Sequence, residues 1–179
     1  MLFSTQCRVL AEKYGYLRAV RMLVDAGYPA IDVSMYLLSS DIYTGNHRAL
    51  AKEMLDIAGE RGVVFNQAHA PYRGNYKRDI IPLLPRAIEF AGLLSVKTIV
   101  VHPIHEMKYR GNEDELFSIN MEFYSSLIPC ARDAGVKIGI ENMWQTHPVT
   151  KRIRDDVCAP PEELCRYYDA LADTGCFTA

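Results

Sequence analysis

Short apolar runs alternate along the chain with longer stretches in which apolar side chains recur at helical spacing. The apolar runs, which are typical of buried strands, lie at residues 2–5, 30–35, 63–68, 98–101 and 137–140. The stretches with a 3.6-residue period predict helices at residues 16–26, 47–60, 79–94, 113–134 and 160–172. Strand and helix therefore alternate five times, which is the pattern of a parallel α/β fold.

The last part of the chain begins a sixth repeat of this pattern. Residues 145–157 are polar and predict a loop, and residues 176–179 predict the start of a sixth strand. No segment has the composition of a linker, so we interpret residues 1–179 as one domain. Two architectures compete: a doubly wound sheet, and an eight-unit barrel, which usually takes about 250 residues. The first strand lacks a Gly-x-Gly-x-x-Gly turn, which disfavours a dinucleotide-binding sheet.

Three polar side chains stand at the downstream ends of successive predicted strands: His69, His102 and Glu141. In a barrel these ends converge on one mouth, where active sites are built, so their placement favours the barrel. A carboxylate after an apolar strand needs a metal or a cation as partner, because burying an unpaired charge is costly. The alternative is structural, with Glu141 bonded to a neighbouring loop and the histidines bonded to backbone carbonyls.

Four segments, in this order, resemble the xylose isomerase-like barrels. This sugar phosphate isomerase/epimerase group also includes the type IV apurinic endonucleases. The segments are 18–35, 64–72 with its His-Ala-Pro, 96–103 with its Thr-Ile-Val-Val-His-Pro, and 123–143 with its Glu-Asn. The resemblance implies an α/β fold of the parallel (β/α) TIM-barrel type. This chain would hold an incomplete barrel, with about five βα units plus the start of a sixth strand.

The resemblance also implies a metal site, of which this chain matches one ligand. The family binds a divalent ion through residues on its fifth to eighth strands, and only Glu141, on the fifth, has a counterpart here. Glu141 would also act as acid/base. Oxygen ligands suit Mn²⁺ or Mg²⁺, and a mixed oxygen and imidazole set suits Zn²⁺ or Co²⁺. His69 and His102 would bind substrate hydroxyls in the isomerase branch, or zinc in the endonuclease branch.

Further candidates lie close to these strand ends. Asn142 is placed to orient Glu141 or the substrate, and Tyr72 and Trp144 offer flat walls for the C–H face of a sugar. His105, in the loop after the fourth strand, could shape the mouth. Asp32, within the second strand, is either a polar group of the barrel interior or a site residue. We expect His47 and His147 to be solvated or structural.

Charge and cysteine content limit the possible binding partners and the cellular compartment of the protein. The net charge of −2 gives no general attraction to nucleic acid or to anionic membranes. Five cysteines without a Cys-x-x-Cys spacing, and no signal peptide or membrane-spanning apolar stretch, predict a cytoplasmic protein. Basic residues follow the third, fourth and fifth strands and are compatible with an anionic ligand such as a sugar phosphate. They are Arg73, Lys77, Arg78, Lys108, Arg110, Lys151, Arg152 and Arg154.

The leading functional hypothesis is a metal-dependent sugar or sugar phosphate isomerase or epimerase that moves a proton next to a metal-bound carbonyl. The first alternative is a zinc-dependent phosphodiesterase of the endonuclease type, which the slightly acidic charge disfavours. The second is a non-catalytic partial barrel. The missing barrel units leave three alternatives: the chain is a fragment, a partner chain completes the barrel, or the protein has lost the chemistry. If the natural chain ends at residue 179, five strands cannot close a barrel, and homo-oligomers that cover the exposed sheet edges are then expected.

Overall fold

The structure is a computed structural model that describes residues 3–178. Six strands form one parallel sheet in the order β1-β2-β3-β4-β5-β8, and β6 and β7 form a separate antiparallel hairpin. In chain order the strands are Ser4–Gln6 (β1), Ala30–Ser34 (β2), Val64–His69 (β3), Thr98–Val101 (β4), Lys137–Ile140 (β5), Trp144–Thr146 (β6), Ile153–Asp155 (β7) and Phe177–Thr178 (β8). The sequential parallel order confirms the prediction of an incomplete barrel-type α/β fold.

Helices connect the strands of the parallel sheet. They are Arg8–Tyr14 (α1), Tyr16–Asp25 (α2), Asp41–Thr44 (α3), His47–Gly59 (α4), Leu84–Leu93 (α5), Glu113–Ala134 (α6) and Pro161–Leu171 (α7). A left-handed Gly135 (φ 67°) ends α6, where a residue with a Cβ would be strained. Within residues 3–178, no helix is both long enough and apolar enough to cross a membrane.

The two faces of the sheet differ, because successive side chains of a strand point to opposite sides. On the helix-covered face, Ile31, Ile99 and Ile138 are 0% exposed and belong to the main hydrophobic core. On the other face, which we call the open face, Asp32 and Thr98 are only partly buried. The open face is the one that becomes the interior when a sheet of this type closes into a barrel.

The prediction of a loop over residues 145–157 is wrong, because this segment contains most of strand β6 and all of β7. Gln145 pairs with Arg154 in the middle of the hairpin. Its turn is closed by the backbone N–H of His147, which donates to Arg152 O (2.8 Å). Each strand has three residues and no apolar face in the core, so the hairpin leaves no hydrophobic period in the sequence.

The helix predicted for 79–94 is also wrong at its start. The chain there forms a π-helical turn, Tyr76–Ile80, and a 3₁₀ turn, Ile81–Leu83, before α5 begins. Pro82 and Pro85 each remove a backbone donor, which interrupts a regular α-helical ladder. The short helices α1 and α3 were not predicted, and Leu2 and Ala179, at the ends of two predicted strands, lie outside the described residues.

Both edges of the parallel sheet are open in the described part of the chain, since β1 pairs with β2 and β8 pairs with β5. Unpaired strand edges promote association with another chain. We therefore predict that the 179-residue chain forms dimers or larger assemblies, as measured by light scattering coupled to size-exclusion chromatography. A single monomeric species over a wide concentration range would contradict this.

Glu163, on α7, helps to hold the segment that follows the hairpin. Its Oε2 accepts hydrogen bonds from the Tyr109 hydroxyl (2.8 Å) and from Cys158 N (2.9 Å). Burial nevertheless raises the pKa of the Glu163 carboxyl above its ordinary value. The folded protein therefore favours the protonated carboxyl, and this group's contribution to stability is lost as the pH rises through its raised pKa.

From this sign we predict the behaviour of Glu163→Gln, which mimics the protonated carboxyl. Its unfolding free energy relative to the wild-type protein should rise as the pH increases above the ordinary pKa of a glutamate, measured by urea unfolding at each pH. Glu162→Gln, at the neighbouring exposed position, is the control and should show no such trend. A relative stability of Glu163→Gln that falls with pH would contradict the assignment.

Candidate active site

The downstream ends of the strands surround a pocket of about 490 Å³. All six residues predicted for the site line it, and their individual roles stay predictions. The lining consists of Gln6, Arg8, Tyr36, His69, Tyr72, His102, His105, Glu141, Asn142, Met143 and Trp144. A second pocket, of about 290 Å³, lies on the open face and shares His69, Glu141 and Asn142 with the first.

Glu141 and His102 form an ion pair in this pocket. Glu141 follows β5 and His102 follows β4, so the parallel pairing of these strands brings the two side chains together. Glu141 Oε2 lies 2.8 Å from His102 Nε2. The His102 imidazole at this distance lowers the pKa of the Glu141 carboxyl below its ordinary value, against partial burial, and the charge of His69 acts in the same direction. Glu141 is therefore ionised at neutral pH.

His102 makes one further contact through its ring and one through its backbone. Its ring stacks on Tyr72, with centroids 4.5 Å apart and planes 19° apart. Its backbone carbonyl accepts a hydrogen bond from the Tyr76 hydroxyl (3.3 Å). The Nδ1 atom is buried and lacks a hydrogen-bond partner among the described residues. An unpaired buried nitrogen is a cost that functional sites retain more often than ordinary cores do.

His69 has a carboxylate partner of its own. Its Nδ1 lies 3.0 Å from Asp32 Oδ1, and Gln67 Nε2 donates to Asp32 Oδ2 at 3.4 Å. The pair arises from the register of β2 and β3, which places Ser34 beside His69. Asp32, an open candidate in the sequence, thus orients His69 across neighbouring strands.

An aromatic wall lies between these two histidines. Tyr36 meets Tyr72 edge-on, with centroids 4.8 Å apart, and meets His69 edge-on at 6.1 Å. The Arg8 guanidinium lies 5.3 Å from the centre of the Tyr36 ring. Trp144, also predicted as a wall, begins the hairpin and is 61% exposed. The pocket therefore combines flat apolar faces with polar hydrogen-bonding groups, which suits a small polyhydroxylated ligand.

The sequence missed four of the lining residues: Gln6, Arg8, Tyr36 and Met143. Tyr36 comes soon after β2 and Arg8 soon after β1, so the strand-end rule that selected the histidines could have selected them too. The histidines outside the pocket behave as expected. His47 Nε2 lies 2.9 Å from Glu89 Oε2, and His147 Nδ1 accepts from backbone N–H groups of its own turn.

Two of the basic residues that follow the third strand make contacts with neighbouring residues of the chain. Arg73 Nε donates to the Tyr72 hydroxyl (3.2 Å), and Arg78 pairs with Asp79. Among the described residues, Arg8 is the cationic side chain that lines the pocket. Its Nε lies 3.1 Å from Glu12 Oε1, so its charge is partly offset.

The described side chains do not fit a complete divalent metal site. Protein sites for such ions usually supply at least three ligands. Within residues 3–178, no group of three or more His, Cys, Asp or Glu side chains could hold a metal ion. Glu141 and His102 meet each other in the pocket, which accounts for at most part of a ligand set.

Comparison with solved structures shows the same fold. A D-tagatose 3-epimerase-like protein matches with a TM-score of 0.69 and 22% sequence identity over 93% of this chain and 60% of that one. A xylose isomerase domain protein from Alicyclobacillus acidocaldarius subsp. acidocaldarius matches with a TM-score of 0.67 and 15% identity over 100% of this chain and 62% of that one. A D-psicose 3-epimerase, crystallised in the presence of D-fructose, matches with a TM-score of 0.57 and 14% identity over 80% of this chain and 53% of that one.

These similarities concern the fold, since all three identities are low. The chain spans between 53% and 62% of the length of these solved structures. No family model matches the sequence, and no curated protein matches it.

Proposed function

We propose that this chain, which has the fold of the xylose isomerase-like barrels, belongs to an enzyme that isomerises or epimerises a small sugar or sugar phosphate. The observation that carries the proposal is the ionised Glu141 in a pocket lined by His69, His102 and aromatic rings. The names of the similar structures support the substrate class, because two of the three name a sugar epimerase or a protein like one. The whole reaction is a proposal, since those structures extend beyond the length of this chain.

Glu141 is proposed as the base of the reaction. A carboxylate in a partly dry pocket can take the proton from a carbon next to a carbonyl. The C–H electron pair then forms a double bond between the two carbons, and the π pair of the carbonyl moves to its oxygen. The contact with His102 fixes the direction of the carboxylate. Protonated Glu141 would return the proton to carbon in the second half of the reaction.

The remaining predicted residues are proposed to bind the substrate. His69, oriented by Asp32, and His102 would bond to sugar hydroxyls. Asn142 follows Glu141 directly and would bond to a neighbouring hydroxyl. Tyr72 and Trp144 would cover the C–H face of the sugar.

For a divalent ion, we propose a single ligand from this chain, Glu141. Its carboxylate is the ligand that this chain would offer to Mn²⁺, Mg²⁺, Zn²⁺ or Co²⁺. No step of the proposed reaction depends on the ion, because the described residues do not complete a site for it. The free state of all five cysteines supports a reducing location, for which we propose the cytoplasm.

The test is deuterium exchange at carbon. The protein is incubated in D₂O with D-fructose or D-tagatose, in turn with and without Mn²⁺, Mg²⁺, Zn²⁺ and Co²⁺, and NMR follows deuterium next to the carbonyl. Exchange together with a new sugar on chromatography is expected. Neither exchange nor a new sugar under any of these conditions would overturn the proposal.

The alternative reaction is phosphodiester hydrolysis at abasic DNA. The net charge of −2 gives it less support, because DNA-binding proteins usually present a basic face. Cleavage of an abasic oligonucleotide in Zn²⁺, lost in both His69→Ala and His102→Ala, would favour this alternative over sugar chemistry.

A further inference from the structure

His105 and Asp156 form another histidine–carboxylate pair at the pocket, separate from Glu141. His105 Nδ1 lies 3.0 Å from Asp156 Oδ2. His105 belongs to the segment between β4 and α6, and Asp156 follows β7 directly. The pair therefore joins the end of the hairpin to the β4 side of the pocket, across 51 positions of sequence.

Asp156 is fixed as well as buried. The residue is 1% exposed, its Oδ2 meets His105, and its Oδ1 accepts a hydrogen bond from Val157 N (2.9 Å). Val157 O in turn accepts from Met143 N (2.9 Å), which ties this segment to the one after β5. Removing a carboxylate from water is costly unless donors compensate it, and His105 is the side chain that does so here.

This contact determines which nitrogen of His105 is left for a ligand, because Nδ1 is engaged by Asp156. An ionised carboxylate only accepts hydrogen bonds, so Nδ1 of His105 carries the proton in the pair. Nε2 is then the position where a proton can be gained or lost. The His105 side chain is 31% exposed and lines the pocket that Glu141 also lines, while Tyr76 packs edge-on to the ring at 6.4 Å.

We propose that His105, positioned by Asp156, is a second proton-transfer residue of the pocket and acts on an oxygen of the ligand. The inference rests on the proposed function of Glu141. As Glu141 takes the proton from carbon, the C–H pair forms a carbon–carbon double bond and the carbonyl π pair moves to oxygen. The imidazolium of His105 donates its Nε2 proton to that oxygen. When Glu141 returns the proton to carbon, neutral His105 takes a proton back from a ligand hydroxyl, whose electron pair re-forms the carbonyl.

The competing explanation is that the pair only anchors the hairpin. Two observations make the catalytic role the stronger one. A pure anchor has no need to place the His105 side chain at a pocket wall, and the hairpin segment already has the Met143–Val157 and Glu163–Cys158 hydrogen bonds. The two explanations differ in what Nε2 does when a ligand enters.

The first experiment reads the two nitrogens of His105 directly. In ¹⁵N-histidine-labelled protein, long-range ¹H–¹⁵N NMR should show neutral His105 with its proton on Nδ1. Titration with D-fructose and D-tagatose should shift the Nε2 resonance and leave His47, which pairs with Glu89 outside the pocket, unchanged. A neutral His105 whose single ring proton lies on Nε2, or an Nε2 resonance that neither sugar shifts up to the highest soluble concentration, would overturn the proposal.

The second experiment uses substitution and chemical rescue. His105→Ala should lower deuterium exchange about 10²–10⁴-fold, the usual contribution of a positioned acid or base, and added imidazole should restore part of it. His47→Gln is the matched control and should retain exchange. Asp156→Asn should shift neutral His105 partly to the tautomer with its proton on Nε2, because an amide side chain can donate a hydrogen bond to Nδ1 as well as accept one from it. Loss of exchange in a folded His105→Ala that imidazole does not restore would assign the pair to anchoring.

The outcomes separate this inference from the function on which it rests. If the wild-type protein shows no exchange, the Glu141 reaction fails, and the NMR titration alone decides whether His105 meets a ligand. If the wild-type protein exchanges and His105→Ala exchanges equally fast, the Glu141 reaction stands and the role of His105 is refuted.

Discussion

Replacing Glu141 with glutamine is expected to lower deuterium exchange in D-fructose or D-tagatose by about 10²–10⁴-fold. The amide keeps the size of the side chain and can keep its contact with His102, so the fold and the pocket should persist. What the variant loses is the ionised oxygen that takes the proton. NMR measures the rate of deuterium exchange, and circular dichroism separately tests whether the variant is folded.

A matched control for Glu141→Gln exists in the same chain. Glu89 is also a carboxylate paired with a histidine, His47, but it lies on α5 and outside the main pocket. Glu89→Gln should leave exchange unchanged. If Glu141→Gln retains the wild-type rate in a protein that exchanges, another group is the base and the proposed mechanism is wrong.

Most of the fold could be predicted because buried strands and amphipathic helices leave a period in the sequence. The apolar run at β4 and the stripe along α6 are such cases, and both predictions agree with the structure to within a residue. The hairpin of β6 and β7 has no such period, since its strands are short and largely outside the core. The π-helical turn Tyr76–Ile80 lies before Pro82, and the sequence pattern does not indicate which type of helical turn forms there.

The pocket could be predicted in part for a related reason. His69, His102 and Glu141 stand at strand ends, and a parallel sheet brings such ends together whatever the loops do. Asp156 does not follow this rule. It reaches His105 only because the hairpin folds back toward β4, and a contact across 51 positions leaves no trace in local pattern. Loop residues that contact the site residues, such as Asp156, therefore could not be predicted from the sequence.

Gly92, on α5, is a position where a single added methyl group should destabilise the protein. A Cβ built on Gly92 would lie 2.5 Å from the backbone oxygen of Ala134 and 3.0 Å from its Cβ. Helices α5 and α6 are in contact at this point, and the clash is with backbone that cannot rotate away. We expect Gly92→Ala to lower the unfolding free energy by about 1–3 kcal/mol, in the range of overpacked cores.

The loss of stability expected for Gly92→Ala is opposite to the usual effect of this substitution, because alanine normally stabilises a helix relative to glycine by about 0.5–1 kcal/mol. Gly59, at the end of α4, has open space where a Cβ would stand, with nothing within 4 Å, and should show that ordinary gain when changed to alanine. Urea unfolding with equal m-values compares the two variants directly. Opposite signs would establish that α5 and α6 approach closely through Gly92, whereas a stabilising Gly92→Ala would mean that the two helices pack differently.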